Sequence, residues 1–106
     1  GSAYDLAVSN LHDGDWVEYN RIDLGSGAKR VTVRASSTCD TGRLEFHADT
    51  PDGILVASIA LTNTGYEECF QDFCAETASS FTGIQKLVLV YHGPKKTCRI
   101  NWFLFQ

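Results

Sequence analysis

The chain has 106 residues, of which 43% are hydrophobic and 21% charged, and its formal net charge is −4. This length suits a single domain, expected to span residues 1–106, with Gly1-Ser2 read as a remnant of cloning. The apolar content excludes a disordered chain, and no apolar run approaches the roughly 20 residues of a membrane helix. Basic residues are mostly isolated along an acidic chain, so we expect no nucleic-acid partner and no membrane partner.

Apolar residues alternate with polar ones in short runs separated by Gly, Asp and Ser, which is typical of β-strands. No segment shows the helical period over three turns. In chain order, the predicted strands centre on residues 17–22, 31–35, 44–48, 54–61, 69–77, 87–91 and 98–105. The run Ile54 to Leu61 is apolar on both faces, which predicts a central strand. This pattern predicts an all-β fold, a sandwich of antiparallel sheets.

The first predicted strand carries the run Trp16-Val17-Glu18-Tyr19. Side chains alternate between faces in an extended segment, so Val17 and Tyr19 point one way and Trp16 and Glu18 the other. Trp16 is therefore expected on the solvent face in polar company. An exposed indole is a good partner for the apolar face of a sugar ring. Packing of Trp16 under a loop is the alternative interpretation.

Four cysteines, at positions 39, 69, 74 and 98, show no C-x-x-C spacing of the kind that zinc sites use. An even count in a small β-rich chain favours disulfides and an oxidising compartment. Cys69 and Cys74 flank a short segment, so the preferred pairing is Cys69–Cys74 with Cys39–Cys98. Free buried thiols are the alternative.

Catalytic patterns are weak. Carboxylates are plentiful, but a glycosidase needs two of them at a set separation across a cleft, which 106 residues of sandwich rarely form. Gly-x-Ser-x-Gly is absent, and no spacing of Ser, His and Asp suggests a triad. We therefore expect no enzymatic activity.

Several short motifs follow one another in a characteristic order: Gly14-Asp15-Trp16-Val17-Glu18-Tyr19, Gly25-Ser26-Gly27-Ala28, Val33-Arg34-Ala35-Ser36, Leu44-Glu45-Phe46, Asp52-Gly53, Leu87-Val88-Leu89-Val90-Tyr91-His92-Gly93 and Ile100-Asn101-Trp102-Phe103. As an ordered set they resemble a family 6 carbohydrate-binding module from about Ala7 to Gln106. The resemblance implies a jelly-roll β-sandwich that binds plant or algal polysaccharide or oligosaccharide without cleaving it. It also implies a secreted, extracellular setting, with the catalytic domain of a glycoside hydrolase as the partner that the module tethers.

The chain departs from the family pattern at its start. Members usually open with a strand carrying Glu-Ala-Glu that helps hold a structural calcium, whereas none of the thirteen residues before Gly14 is Glu. We therefore expect the first strand or two to be missing, and a homodimer through the exposed edge strand becomes an expected arrangement. The family's acidic position in the last strand falls on Asn101. No cofactor is expected, since the usual ligands of the structural calcium are absent, and a structural calcium is the alternative.

The family has two binding clefts, and this chain keeps their binding residues to different extents. In the loop cleft, family members hold the sugar with a Tyr, a Trp and an Asn. These positions fall on Asn10, Glu67 and Arg99 in this chain, so we expect no glycan to bind in this cleft. Arg99 is expected to pair with Glu67, with binding of a charged sugar as the alternative. Tyr66, beside a turn glycine, is the candidate contact that remains there.

The cleft on the concave sheet face keeps its stacking position, since the Trp of Gly-Asp-Trp is present as Trp16. Glu18 is a candidate acceptor for sugar hydroxyls, and Lys95 or Lys96 takes the place of a lysine that assists in some members. Trp102 is expected to cap the core instead, because Ile100 and Leu104 share its face in a regular strand. The alternative function is a structural or interaction domain whose sugar clefts have both decayed.

Overall fold

The computed structural model describes residues 4–66, 68–78, 80–94 and 98–106. Within these residues the chain forms eight β-strands, which are β1 Tyr4–Leu11, β2 Trp16–Asp23, β3 Arg30–Ser37, β4 Arg43–Ala48, β5 Leu55–Ala60, β6 Gln71–Glu76, β7 Ile84–His92 and β8 Cys98–Phe105. The described chain contains no helix long and apolar enough to cross a membrane. The seven strands predicted from the sequence are confirmed, with ends shifted by a few residues.

The strands form two four-stranded sheets, in the orders β1-β8-β3-β6 and β2-β7-β4-β5. The strand pairings in both sheets are antiparallel. Except for β4 and β5, which are paired in one sheet, successive strands alternate between the two sheets. This arrangement is that of a jelly roll, in which eight strands make two Greek keys. The expected all-β sandwich of two antiparallel sheets is therefore confirmed.

The core lies between the sheets and is built from the inward residue of each alternating pair. Phe103 of β8 is its aromatic centre, with ring centroids 4.9 Å from Phe46 and 5.2 Å from Tyr19, both edge-on. Edge-to-face packing of this kind adds stability beyond the area that is buried. Because β4 and β2 are held through these rings, the orientation of their outer faces is fixed by the core.

One strand that the sequence pattern did not predict precedes β2. Residues Tyr4–Leu11 form β1 and pair with β8, with Tyr4 opposite Phe103 and Leu11 opposite Cys98. The register shifts twice between these ends, so β1 is irregular. This irregularity breaks the strict alternation by which a strand is found in a sequence.

The expectation that the run Ile54 to Leu61 forms a central strand is also wrong. This run forms β5, which is the edge strand of its sheet, beside β4 only. Its apolar residues contribute to the core from the edge of the sheet, because Val56, Ala57 and Ile59 are buried while Leu55 is 45% exposed. A register shift between Phe46 and His47 turns two successive β5 residues inward.

Trp102 does not cap the core. Arg34 of β3 lies opposite Trp102 while Ala35 lies opposite Ile100, so Asn101 is an extra residue in β8. This bulge puts Ile100 and Phe103 on the core face and turns Trp102 to the outer face, where it is half-buried.

All four cysteines are free thiols in the structure, so it contains neither expected bridge, Cys39–Cys98 nor Cys69–Cys74. Cys74 lies within β6, and the residues that separate it from Cys69 are largely extended. Five residues of extended chain span far more than the roughly 7 Å between Cα atoms that a disulfide tolerates. Cys98 is fully buried and lies opposite Ser37 of β3. Cys39 follows Ser37 by two residues in the chain.

Candidate functional site

The outer face of the β2-β7-β4-β5 sheet displays Trp16 at the start of β2. Its side chain is 50% exposed, as the alternation of β2 predicts, while Val17 and Tyr19 turn inward. Gly14 precedes it with φ +87, and the Gly14 amide donates to the Tyr91 carbonyl at 2.8 Å. Gly14 thus makes the tight entry to β2 in a conformation that other residues adopt only with strain. The turn before β2 therefore sets the indole at the margin of the sheet.

Two valines form an apolar floor beside the indole. Val90 lies opposite Trp16 and Val88 lies opposite Glu18. Both valines are buried, at 5% and 0% exposure, although they point away from the core that their neighbours Leu87 and Leu89 enter. Their burial must come from side chains on the outer face itself, so this face has relief and is not flat.

Glu45 of β4 borders the two valines on the side away from Trp16, since it lies opposite Val90. Its Oε1 accepts hydrogen bonds from His47 Nε2 at 2.9 Å and from His92 Nε2 at 3.2 Å. Its Oε2 accepts one from Arg43 Nε at 2.7 Å. Only 15% of the side chain is exposed. Glu45 is thus a carboxylate held in one orientation by three donors.

We call the surface formed by Trp16, Glu18, Val88, Val90, Glu45 and His47 the Trp16 face. Trp16, Val90, Glu45 and Ser58 make one row across its four strands, and Glu18, Val88, His47 and Leu55 make the next. Each row combines two apolar side chains with two polar ones. This is the arrangement a sugar needs, since its ring has apolar faces and a hydroxyl rim.

The donors around Glu45 also set its ionisation. Partial burial alone would raise the pKa of this carboxyl group. Hydrogen bonds from His47 and Arg43, with the charges of Arg43 and His92, outweigh burial and lower the pKa below its ordinary value of 4.5. Glu45 is therefore an ionised acceptor at neutral pH.

Glu18 shares the Trp16 face, as expected, but it has a partner. Its Oε1 lies 3.7 Å from Nζ of Lys86, and both side chains are about two-fifths exposed. A surface pair of this kind is weak, so a competing hydroxyl can replace it. The two lysines proposed from the sequence, Lys95 and Lys96, lie outside the described residues.

The loop end of the sandwich holds the other sequence-predicted residues. Tyr66 is 62% exposed, and Nη1 of Arg99 lies 3.9 Å from Oε1 of Glu68. Glu67, the expected partner of Arg99, lies outside the described residues, and so does the side chain of Asn10. The structure thus gives Arg99 an acidic neighbour one residue along from the one expected.

Three residues of the Trp16 face and its border were missed by the sequence reading: Arg43, Glu45 and His47. A signal for them was present, because they alternate with the buried residues Leu44 and Phe46. Three polar residues on one face of a strand ordinarily indicate that this face is exposed to solvent. What the alternation could not reveal is that β7 brings His92 across to the same carboxylate.

The structural calcium of the resembled family finds little support in the described residues. Among them, no three His, Cys, Asp or Glu side chains are grouped so that they could hold a metal ion. Asn101 is exposed on the β8 bulge and brings no charge. These residues do not fit the metal, and no part of the function below depends on it.

Comparisons with known proteins agree with this architecture. The family model of the carbohydrate binding module (family 6) matches residues 2–106. Endo-1,4-beta-xylanase A of Thermoclostridium stercorarium is 31% identical over 100 residues, which are 94% of this chain and 19% of the xylanase. The chain thus spans about a fifth of that relative.

Solved structures give the same result. A family 6 module from Clostridium stercorarium in complex with cellobiose superposes with a TM-score of 0.83 at 25% identity, covering 100% of this chain and 86% of that one. A β-1,3-glucan-binding family 6 module from Bacillus halodurans gives 0.80 at 29% identity, covering 91% and 72%. The two sheets, the ordered motifs and these matches lead to one conclusion: the chain belongs to family 6 of the carbohydrate-binding modules, which are non-catalytic domains that bind glycans.

Proposed function

We propose that this module binds a β-linked plant or algal cell-wall glycan on the Trp16 face and thereby tethers a secreted glycoside hydrolase to its substrate. The observation that supports the site is the row Trp16–Val90–Glu45, an indole and a fixed carboxylate on either side of an apolar floor. When one sugar ring stacks on the indole, the next ring of the chain lies beyond Val90 and presents hydroxyl donors to Glu45.

The ligand class follows from the shape of the surface and from the relatives. Rings of β-linked xylan and glucan carry equatorial substituents, so both ring faces are apolar and can lie on an indole. The similar proteins bear names that refer to xylan, cellobiose and β-1,3-glucan. Xylan is the first candidate because the matched xylanase carries a segment 31% identical to this chain.

Tethering explains why such a module has no catalytic group of its own. Binding beside the substrate raises the effective concentration of a linked enzyme without any new contact. The chain corresponds to about a fifth of the xylanase it resembles, which leaves room in such a protein for a catalytic domain. A polysaccharide lies outside the cell, so this role implies secretion.

Affinity electrophoresis with soluble xylan, mixed-linkage β-glucan and laminarin tests the proposal. Retardation of the module in at least one gel, and its loss in Trp16→Ala, is expected. Tyr66→Ala provides a matched control, because it removes an exposed aromatic residue outside the Trp16 face. No retardation in any gel would favour a structural or interaction domain. Equal retardation of the module and Trp16→Ala would move the site elsewhere.

A further inference from the structure

His47 lies between two hydrogen-bond acceptors. Its Nδ1 is 2.8 Å from the carbonyl oxygen of Gly53, and its Nε2 is 2.9 Å from Oε1 of Glu45. The side chain is only 14% exposed, so water replaces neither contact easily. His47 therefore connects a wall of the Trp16 face to the turn that leads into β5.

The number of protons in this arrangement is fixed by its chemistry. A carbonyl oxygen only accepts, so Nδ1 of His47 must carry a hydrogen. The contact between Nε2 and Glu45 also needs one proton. Arg43 donates to the other carboxylate oxygen and keeps Glu45 ionised, so that proton resides on His47. With both contacts made, His47 is an imidazolium.

We propose that His47 is a positioning residue which, only as an imidazolium, holds both Glu45 and the turn before β5 in place for the glycan, so that binding weakens as pH rises. This inference rests on the function proposed above, because it concerns the same face. Histidine is the side chain whose charge ordinarily changes between about pH 5 and pH 8.

A neutral imidazole has one N–H and can satisfy only one of the two acceptors. If Glu45 is released, the carboxylate opposite Trp16 loses its fixed orientation. If Gly53 is released, the turn loosens beside Leu55, which lies opposite His47 on the same face. In either case one restraint on the Trp16 face is lost.

Neighbouring charges do not duplicate this contact. On β4 the ionisable neighbours are Arg43 and Glu45, and β5 presents only Leu55 and Ser58 to this face. Among the residues that the structure describes, the remaining ionisable groups near the cluster are His92 and Lys86 of β7, Glu18 of β2, Asp13 of the preceding turn, and Asp49 and Asp52 of the β4–β5 turn. His92 is the second histidine that contacts Glu45, so it needs its own variant.

The chain has three histidines, which makes a clean comparison possible. Calorimetric affinity for soluble xylan, or for whichever gel polysaccharide binds, is measured at about pH 5.5 and about pH 8. We expect the wild type to bind roughly fivefold more weakly at the higher pH, the difference between a charge-assisted and a neutral hydrogen bond. His47→Gln should lose most of this dependence. His12→Gln should keep it, because the ring of His12 pairs with Asp15. His92→Gln measures how much of the pH dependence comes from His92.

A pH dependence that persists in His47→Gln, or equal wild-type affinity at both pH values, would overturn the inference. Nitrogen-15 spectra of the unliganded protein give an independent readout. Both ring nitrogens of His47 should be protonated at the lower pH, with one hydrogen lost at the higher pH. A single neutral tautomer throughout would refute the inference even if no polysaccharide bound, whereas absent binding with the expected spectra would reject only the proposed function.

Discussion

Trp16 and Glu45 face each other across Val90, because both lie opposite that one valine in the register of the sheet. They are two strand spacings apart, roughly 10 Å. A disaccharide unit has about this length, so one ring can stack on the indole while the next reaches the carboxylate.

Replacing Trp16 with alanine should remove most of the affinity for polysaccharide. Loss of a stacked aromatic costs on the order of 1–3 kcal/mol, about tenfold or more in affinity. Half of this side chain is exposed in the unliganded protein, so the melting temperature should change little. The chain has two tryptophans, and ligand-induced fluorescence change should vanish in Trp16→Ala, which retains Trp102. A fluorescence response carried by Trp102 alone would contradict the assignment.

The double change Tyr66→Ala with Arg99→Ala should leave polysaccharide affinity within about 0.5 kcal/mol of the parent, as for an ordinary surface substitution. Tyr66 is exposed at the loop end, and Arg99 faces Glu68 at 3.9 Å, so neither contributes to the Trp16 face. Calorimetry measures this change. A tenfold loss in a variant that melts normally would make the loop end the working site.

Glu45→Gln should destabilise the protein more at neutral pH than in acid. The pKa of Glu45 is lower in the folded protein than its ordinary value of 4.5, since hydrogen bonds from His47 and Arg43 outweigh burial. Its stabilising contribution is therefore fully present above about pH 4.5 and is lost as pH falls through the lower folded pKa. Urea unfolding at about pH 7 and about pH 3 measures the difference. An equal effect at both pH values would mean that the charge of Glu45 is not involved.

Gly53→Ala should be more damaging than Gly25→Ala. A Cβ on Gly53 would overlap the backbone carbonyl of Ala48, whereas one on Gly25 meets nothing within 4 Å. Gly25 has φ +58, so alanine there costs only the strain of a left-handed residue, about 1–2 kcal/mol. Thermal unfolding of both variants measures the difference. Similar melting temperatures would show that the β4–β5 turn can shift, which would also weaken the role of Gly53 as an anchor for His47.

The cysteines should differ in their reactivity towards alkylating agents. Cys74 is exposed, whereas burial raises the pKa of the Cys98 thiol to about 12 and keeps it protonated and inert. Mass mapping after brief alkylation at mild alkaline pH should therefore find Cys74 labelled and Cys98 unlabelled until the protein unfolds. Alkylation in denaturant without reductant should add four labels; two fewer would reveal one disulfide.

The sequence alone determined the all-β architecture, seven of the eight strands found in the described residues, and the exposure of Trp16. These features are local, because a period of two residues and the turn residues around it depend on neighbours in the chain. Val17 and Tyr19 turn inward and Trp16 outward, as the alternation requires. The ordered motifs from Gly14 to Phe103 further identified the family, since they mark positions along the whole chain.

Tertiary structure decided what local patterns do not encode. The bulges in β8 and between β4 and β5 changed the faces of Trp102 and Val56, because one inserted residue reverses the alternation beyond it. The cluster around Glu45 needs His92 from β7, 47 positions away, and only sheet register brings the two together. A hydrogen bond between distant residues depends on strand order and register, so the chain's own periodicity identifies each strand but cannot identify its neighbours.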